Sequence, residues 1–101
     1  MYFVYILQST IDGSLYTGQT NNLTDRLKRH NRGQIKTTKS KLPYDLGYYE
    51  IYDSRSEAMH REWQFKTQWN TERKKKLIAK FDPQKIRDIL STFATPGIEN
   101  P

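Results

Sequence analysis

The order of apolar and polar positions predicts three strands. Residues 2–8, YFVYILQ, form a continuous apolar and β-branched run of the kind found in a strand that is buried on both faces. Asp12 and Gly13 indicate a turn, after which residues 14–19, SLYTGQ, return as the second strand of a hairpin. Residues 47–53, GYYEIYD, have the aromatic and β-branched content of a third strand.

Capping residues predict where the first two helices begin. Asn22 can cap a helix that ends at Gly33, a residue suited to the position just after a helix. Ser54 and Glu57 match a capping box, which predicts a second helix through about Trp69. The chain order is therefore β-β-α-β-α, with a further helix expected beyond it.

That further helix begins at Asp82-Pro83, because proline favours the first helical position. Its apolar stripe consists of Ile86, Ile89, Leu90 and Phe93. Residues 33–46 have no period and are rich in Lys, Thr and Ser, which predicts a mobile loop. Residues 72–77, ERKKKL, are interpreted as a basic connector or a short helical turn.

Length and composition bound the possible classes of protein. The 101 residues predict one domain, residues 1–95, followed by a polar tail, residues 96–101. The absence of Cys excludes disulfides, thiolate metal sites and a Cys nucleophile. No apolar run approaches the length of a membrane span, and the start MYFVYIL does not resemble a signal peptide, so the expected location is the cytoplasm.

The positive charge is concentrated in two parts of the chain. The net charge is +6, yet residues 1–25 contain no Lys or Arg. Seven basic residues and no acidic residue lie between Arg26 and Lys41, and ten more basic residues lie between Arg55 and Arg87. Such clusters attract polyanions, of which nucleic acid is the commonest. The alternative is a solvated face that only aids solubility.

The predicted second helix carries a carboxylate inside its apolar stripe. Ala58, Phe65 and Trp69 share one side of this helix, and Glu62 lies among them. A carboxylate on an apolar face is costly unless it is paired or binds a cation. Glu62 therefore belongs to a salt bridge, reaches solvent at the helix edge, or binds a metal ion. In the first helix, Arg26 and His30 form an i, i+4 pair that is compatible either with the helix surface or with a site.

Together these residues resemble the GIY-YIG nuclease superfamily, in particular its small single-domain UPF0213 branch. The two tyrosine motifs are Val4-Tyr5-Ile6 and Tyr16-Thr17-Gly18, followed by QTNNLTDRLKRHNRG and later by SEAMHREWQFK, over roughly residues 2–81. The chain departs from the family pattern at Val4, which replaces a glycine, and at Thr17, which replaces an isoleucine. It has Gln19 where some relatives have a lysine, so the site lacks one cation. Asn70 is a weaker match to a late asparagine of some members.

The resemblance implies an α+β fold, a small three-stranded antiparallel β-sheet flanked by helices in the order β-β-α-β-α-α. It also implies a divalent-metal-dependent endonuclease that hydrolyses phosphodiester bonds in DNA. The catalytic candidates that it implies are Tyr5, Tyr16, Arg26, His30 and Glu62. Arg26 would bind the scissile phosphate, and Glu62 would be the protein ligand of one Mg²⁺ or Mn²⁺ ion. Tyr5 is the expected general base, with Tyr16 orienting the water or the phosphate.

A free tyrosine has a pKa of about 10, so Arg26 and the metal must lower the pKa of Tyr5 or activity must rise above neutral pH. The predicted nucleic-acid contacts are Gly18, Lys28, Arg29, Arg32, Lys36, Lys39, Lys41, Arg73, Lys74, Lys75 and Lys76. Contacts to phosphates carry no base information, which predicts weak sequence specificity and, where there is selection, selection by the shape of the DNA. A role in repair or recombination is an extension of the endonuclease hypothesis. RNA as the substrate, a binding module without cleavage that needs a partner protein, and a monomer or weak dimer remain alternatives.

Overall fold

A three-stranded antiparallel sheet organises the computed structural model, which describes residues 1–94. Its strands are β1 (Tyr2–Ser9), β2 (Leu15–Thr20) and β3 (Tyr44–Tyr52), in the order β2-β1-β3. β1 is thus the central strand, as its continuous apolar run predicted. The α+β class is confirmed. The predicted tail, residues 96–101, and the side chain of Phe93 lie outside the described part of the chain.

Within residues 1–94, four helices flank the sheet. They are α1 (Leu23–Asn31), α2 (Arg55–Gln68), α3 (Thr71–Lys80) and α4 (Pro83–Ala94). Asn22 caps α1, and the Ser54–Glu57 capping box opens α2, as predicted. None of the described helices is long and apolar enough to cross a membrane.

The interpretation of residues 72–77 as a connector is wrong, because these residues lie inside helix α3. Asn70 caps this helix by accepting a hydrogen bond from the backbone N–H of Arg73 at 2.8 Å. Leu77 and Ile78 give the helix an apolar side that packs against the core. The sequence alone does not reveal this apolar side, because the four consecutive basic residues, 73–76, interrupt the helical periodicity of the apolar positions.

The alternation of β1 divides the core into two clusters. Phe3, Tyr5 and Leu7 point to one face of the sheet, where α1 and α4 cover them. Val4 and Ile6 point to the other face, where α2 supplies Ala58 and Phe65 and α3 supplies its apolar side. The hydrophobic content of the chain is low, but nearly all of β1 is buried.

The segment expected to be a mobile loop is held against the sheet. The Asn31 side chain donates to the carbonyl of Tyr44 at 3.0 Å and accepts from its N–H at 2.8 Å. The Ser9 hydroxyl donates to the carbonyl of Lys41 at 2.7 Å, and Thr38 is fully buried. Consequently β3 begins three residues earlier than predicted, and a short 3-10 helix, Lys39–Lys41, precedes it.

Candidate active site

The two tyrosines that carry the sequence motifs lie side by side on neighbouring strands. In the β1–β2 register, Tyr5 lies opposite Gly18, and Tyr16 lies opposite Leu7. Leu7 and Tyr5 are two residues apart on β1, so both tyrosines project from the same face of the sheet. Their ring centroids are 6.4 Å apart. Tyr5 is buried, with only 1% of its surface exposed, whereas Tyr16 is partly open to solvent.

Gly18 leaves the room that the Tyr5 side chain needs. A Cβ atom at position 18 would lie 2.5 Å from Tyr5 Oη and 2.7 Å from Cζ, distances that real Cβ atoms do not show. The glycine of the second motif is therefore explained by close approach of the strand backbone to the phenol. Because Gly18 is itself buried, its surroundings favour this packing role over the predicted contact with nucleic acid.

His30 connects the Tyr5 hydroxyl to the segment before β3. Its Nε2 lies 3.0 Å from Tyr5 Oη, and its Nδ1 lies 2.8 Å from Thr38 Oγ1. The Thr38 hydroxyl donates to the carbonyl of Ile35 at 3.3 Å, so it must accept the proton of His30 Nδ1. This tautomer leaves Nε2 as an acceptor. Tyr5 therefore donates its proton to His30, and the lone pairs of its oxygen remain available to other donors.

Burial keeps both members of this pair uncharged. Burial raises the pKa of Tyr5 above its usual range and outweighs the opposing effect of the Arg26 charge. Burial also lowers the pKa of His30 to about 4, with further lowering by the charges of Arg26 and Arg29. Arg26 alone therefore does not bring the Tyr5 pKa below its ordinary value, and the alternative, that activity rises above neutral pH, stays a prediction. Complete burial of His30 favours a positioning role through Tyr5.

Arg26 and Glu62 approach the tyrosines from two different helices. The guanidinium of Arg26, on α1, acts to lower the pKa of Tyr5, and the carboxylate of Glu62, on α2, acts to raise it. Both charges therefore lie within interaction range of the same phenol, and so does Tyr16. The structure thus brings together four residues that are far apart in the sequence.

Glu62 lies at the edge of the stripe formed by Ala58 and Phe65, where its side chain is 21% exposed. Its Oε2 lies 2.8 Å from the ammonium of Lys66, which is itself 5.8 Å from the centroid of the Tyr16 ring. A groove of about 300 Å³ between Met59 and Trp63 gives solvent access to this carboxylate. The sequence left a salt bridge, a solvent-exposed position and a metal ligand open for Glu62. The structure shows a partly buried ion pair with Lys66 at the edge of the helix.

The donor set around Glu62 fits a hard divalent ion better than zinc. Within residues 1–94, no three His, Asp or Glu side chains cluster in a way that could hold a metal ion. One carboxylate suits Mg²⁺ or Mn²⁺, which keep several water ligands, and lacks the nitrogen or sulfur ligands that zinc prefers. A divalent ion here would depend on Glu62, water and the oxygens of a bound phosphate.

A second charged cluster, between α2 and β3, was not expected from the sequence. Arg61 donates to both oxygens of Glu50 on β3, at 2.9 Å and 3.0 Å, and the hydroxyls of Tyr48 and Tyr52 also donate to this carboxylate. Burial disfavours the charge of Glu50, but these hydrogen bonds hold its pKa below the usual value. The cluster ties α2 to β3 immediately before Glu62. The alternation of Tyr48, Glu50 and Tyr52 on one face of β3 is the signal that could have revealed it.

The predicted nucleic-acid-binding residues lie on several surfaces. Lys28, Arg29, Arg32, Lys36 and Lys39 are exposed on α1 and the segment after it, and Lys41 is paired with Asp12 at 2.9 Å. On α3, Lys74 is half-buried, and its pKa is lowered by burial and by the nearby charge of Lys66. The other predicted contacts on α3, Arg73, Lys75 and Lys76, are exposed. The guanidinium carbon of Arg73 lies 3.6 Å from the centroid of the Trp69 ring. Lys74 is thus the member of this group that lies within interaction range of Lys66, the ion-pair partner of Glu62.

Comparison with known proteins gives concordant matches. Residues 1–76 match the model of the GIY-YIG catalytic domain. UPF0213 proteins from several strains of Staphylococcus aureus are 45% identical over 78 residues, which cover 76% of this chain and 93% of theirs. The solution NMR structure of the UPF0213 protein BH0048 from Bacillus halodurans aligns with a TM-score of 0.52 and 34% identity, over 90% of this chain and 98% of that one.

Proposed function

Since the chain belongs to the GIY-YIG family of catalytic domains, in its UPF0213 branch, we propose that it is a divalent-metal-dependent endonuclease that hydrolyses phosphodiester bonds in DNA. The family implies a function of the endonuclease type. Metal dependence, DNA as the substrate and the residue roles described below are parts of the proposal.

One observation carries the proposal: the charges of Arg26 and Glu62 both act on the Tyr5 phenol, beside Tyr16. A guanidinium, a carboxylate and two phenols around one partly open surface can supply the phosphate binding, metal binding and water orientation that phosphodiester hydrolysis uses. Two anions, hydroxide and the phosphodiester, must meet in this reaction, so cationic groups have to stabilise the charge that develops.

Arg26 is the proposed ligand of the scissile phosphate. Its planar fork can bind two phosphate oxygens at once, which a lysine ammonium cannot do in the same fixed geometry. Its half-buried position next to a buried phenol places it in a partly desolvated environment, where such a contact is stronger than in water. Loss of one such contact raises the barrier by about 2.7–4 kcal/mol in comparable sites.

Tyr16 is the proposed contact to the attacking water, whose proton passes to solvent at this open surface, and Tyr5 orients the site from beneath the surface. Tyr5 is buried and directs its proton to His30, so its oxygen accepts hydrogen bonds rather than serving as a preformed phenolate. The exposed portion of Tyr16 is accessible to water. The sequence predicted Tyr5 as the general base and Tyr16 as the residue that orients the water or the phosphate. The proposal keeps the role of Tyr16 and makes Tyr5 a positioning residue.

Glu62 is the proposed metal ligand. When bound, Mg²⁺ or Mn²⁺ would act as a Lewis acid for the leaving oxygen of the phosphodiester. The role of Glu62 is to hold the ion at the surface shared with Tyr16 and Arg26. The ammonium of Lys66 pairs with Oε2 of the same carboxylate, so it would compete with a divalent ion for Glu62.

The exposed cations on α1 and α3 are the proposed contacts to the phosphates on either side of the site. They carry no base-reading geometry, so we propose weak sequence specificity and selection by DNA shape, with repair or recombination as the cellular role. The ion pair on Glu62 also favours a second candidate function, a nucleic-acid-binding module of the same fold that cleaves little or needs a partner protein.

A nicking assay separates these two functions. Supercoiled plasmid, branched DNA and single-stranded RNA are incubated with Mg²⁺ or Mn²⁺ and with wild type, Glu62→Gln or Arg26→Ala. Glu72→Gln, on the exposed side of α3, serves as the matched carboxylate control. We expect wild type and the control to nick DNA and the two site variants to lose activity by about 10²–10³-fold. Equal cleavage by all four proteins would exclude this site, and salt-sensitive binding without cleavage would favour the module.

A further inference from the structure

A small polar hollow opens beside Arg26, where β2 passes into α1. It has a volume of about 120 Å³ and lies between the end of β2 and the start of α2. The residues that line it are Tyr2, Gln19, Thr20, Asn21, Arg26 and Arg55. Apart from Arg26, none of these residues belongs to the active site described above. The volume is suited to a small polar group rather than to an extended ligand.

Two arginine side chains line this hollow, and no acidic residue lines it with them. Arg26 comes from α1 and Arg55 is the first residue of α2, so two separate helices bring like charges together. No carboxylate lines the hollow, and no ion pair within residues 1–94 involves either arginine. The nearby Glu57 is occupied by the capping box with Ser54. Such an arrangement raises the local positive potential and favours an anion between the two groups.

The remaining lining groups complement an anion with several oxygens. The side-chain amides of Gln19 and Asn21 and the Tyr2 hydroxyl can each donate a hydrogen bond. Two guanidinium forks add parallel N–H donors whose spacing matches the oxygens of a phosphate. Gln19 is uncharged, so it adds no positive charge to the hollow. Arg55, the first residue of α2, adds one to that of Arg26.

We propose that this hollow binds a second phosphate of the nucleic-acid strand, adjacent to the phosphate that is cut, with Arg55 as its principal ligand. The inference rests on the proposed function, in which Arg26 holds the scissile phosphate. Because Arg26 borders both Tyr5 and the hollow, an anion in the hollow lies next to the reacting group along the strand. The site thereby selects a strand that carries charge on both linkages.

Methylphosphonate interference tests this assignment. A set of branched DNAs, in which the branch point fixes the register of binding, carries one uncharged methylphosphonate linkage at successive positions, and affinity is measured without divalent ions so that nothing is cleaved. The proteins are wild type, Arg55→Gln, Arg55→Lys and the exposed control Arg87→Gln. Thermal melts of all four establish that each is folded.

We expect wild type and Arg87→Gln to lose about tenfold in affinity when one particular linkage is neutral. Arg55→Gln should bind the charged strand about tenfold more weakly and show no further loss at that linkage, because the partner of the missing charge is already gone. The slope of log affinity against log salt should fall by about one. Arg55→Lys should retain the slope and lose part of the affinity.

An interference pattern that is the same in wild type and Arg55→Gln would overturn the proposal, as would a uniform loss at every linkage. The measurement does not depend on cleavage. A protein that binds as expected but never nicks DNA would therefore refute the proposed nuclease and leave the phosphate subsite standing. Cleavage with no effect of Arg55 on binding would refute the subsite alone.

Discussion

The phenol oxygen of Tyr5 lies 3.0 Å from Nε2 of His30, and both side chains are buried beneath the surface to which Tyr16 and Arg26 contribute. In the proposed nuclease, this buried pair orients the site from inside the protein. Tyr16, by contrast, makes no hydrogen bond through its hydroxyl to any residue of the described chain. The two tyrosines thus have distinct surroundings, which predict distinct effects of mutation.

Removal of the Tyr5 hydroxyl should lower stability, whereas removal of the Tyr16 hydroxyl should lower activity. Tyr5→Phe leaves His30 Nε2 buried without its donor, so we expect a loss of about 1–3 kcal/mol in the free energy of unfolding. Tyr16→Phe should leave stability within about 0.5 kcal/mol and lower the nicking rate by about 10²-fold or more. Urea denaturation and single-turnover nicking measure the two effects. A stable Tyr5→Phe variant together with a fully active Tyr16→Phe variant would contradict this division of roles.

His30 should make the protein sensitive to acid. Its pKa is about 4 in the folded state and about 6.5 in the unfolded chain, so the unfolded chain binds the extra proton between these values. Stability should therefore be complete above about pH 6.5 and fall by about 3 kcal/mol as the pH is lowered to about 4.

The comparison that isolates this effect uses His30→Gln and the exposed control His60→Gln. Denaturation is followed from pH 4 to pH 7.5. The difference in stability between wild type and His30→Gln should shrink as the pH falls, whereas His60→Gln should follow wild type throughout. An identical pH slope in His30→Gln would show that other groups account for the acid sensitivity.

Gly18→Ala should disturb the site through packing. The added Cβ would fall 2.5 Å from the Tyr5 hydroxyl, so the ring or the strand must move, at a cost of about 1–3 kcal/mol. Combining it with Tyr5→Phe removes the nearest contact, and the cost of the alanine should then be smaller than in wild type. A double-mutant cycle from urea denaturation measures this coupling. Additive effects would mean that Gly18 and the Tyr5 hydroxyl do not compete for space.

Lys66→Met should strengthen binding of a divalent ion. The Lys66 ammonium lies 2.8 Å from Glu62, and exposed ion pairs of this kind contribute about 0.3–1 kcal/mol. Its removal should tighten Mn²⁺ binding by about two- to fivefold, measured by calorimetry in the absence of DNA. Lys80→Met is the control on an exposed lysine of α3. Unchanged affinity in Lys66→Met, with binding abolished by Glu62→Gln, would show that the ammonium does not compete with the ion.

Much of the fold follows from local signals in the sequence. The apolar run of β1, the Asp12-Gly13 turn and the caps at Asn22 and Ser54 each act over a few residues, and each prediction is confirmed. Helix α3 escaped this reasoning because its apolar residues come late, after a run of basic ones. The start of β3 was placed too late because Asn31, thirteen residues away, fixes the backbone of Tyr44.

The candidate site was predictable only in part, for a related reason. The sequence motifs identify Tyr5, Tyr16, Arg26 and Glu62, but burial and hydrogen-bond partners depend on contacts between distant segments. The partnership of His30 with Thr38 requires the fold of the segment before β3. Arg55 carries no motif, and only the packing of α2 beside β2 brings it near Arg26.

Helix α4 lies beyond residue 76, where the family match ends, yet Ile86, Ile89 and Leu90 pack against the cluster that contains Tyr5. The match to the catalytic-domain model therefore ends before α4, the helix that shields the buried side of Tyr5 from water. A fragment limited to residues 1–76 would keep all the candidate catalytic residues. It would also expose to water the apolar residues that pack around Tyr5. Transplanting this fragment into another protein would require a substitute for that helix.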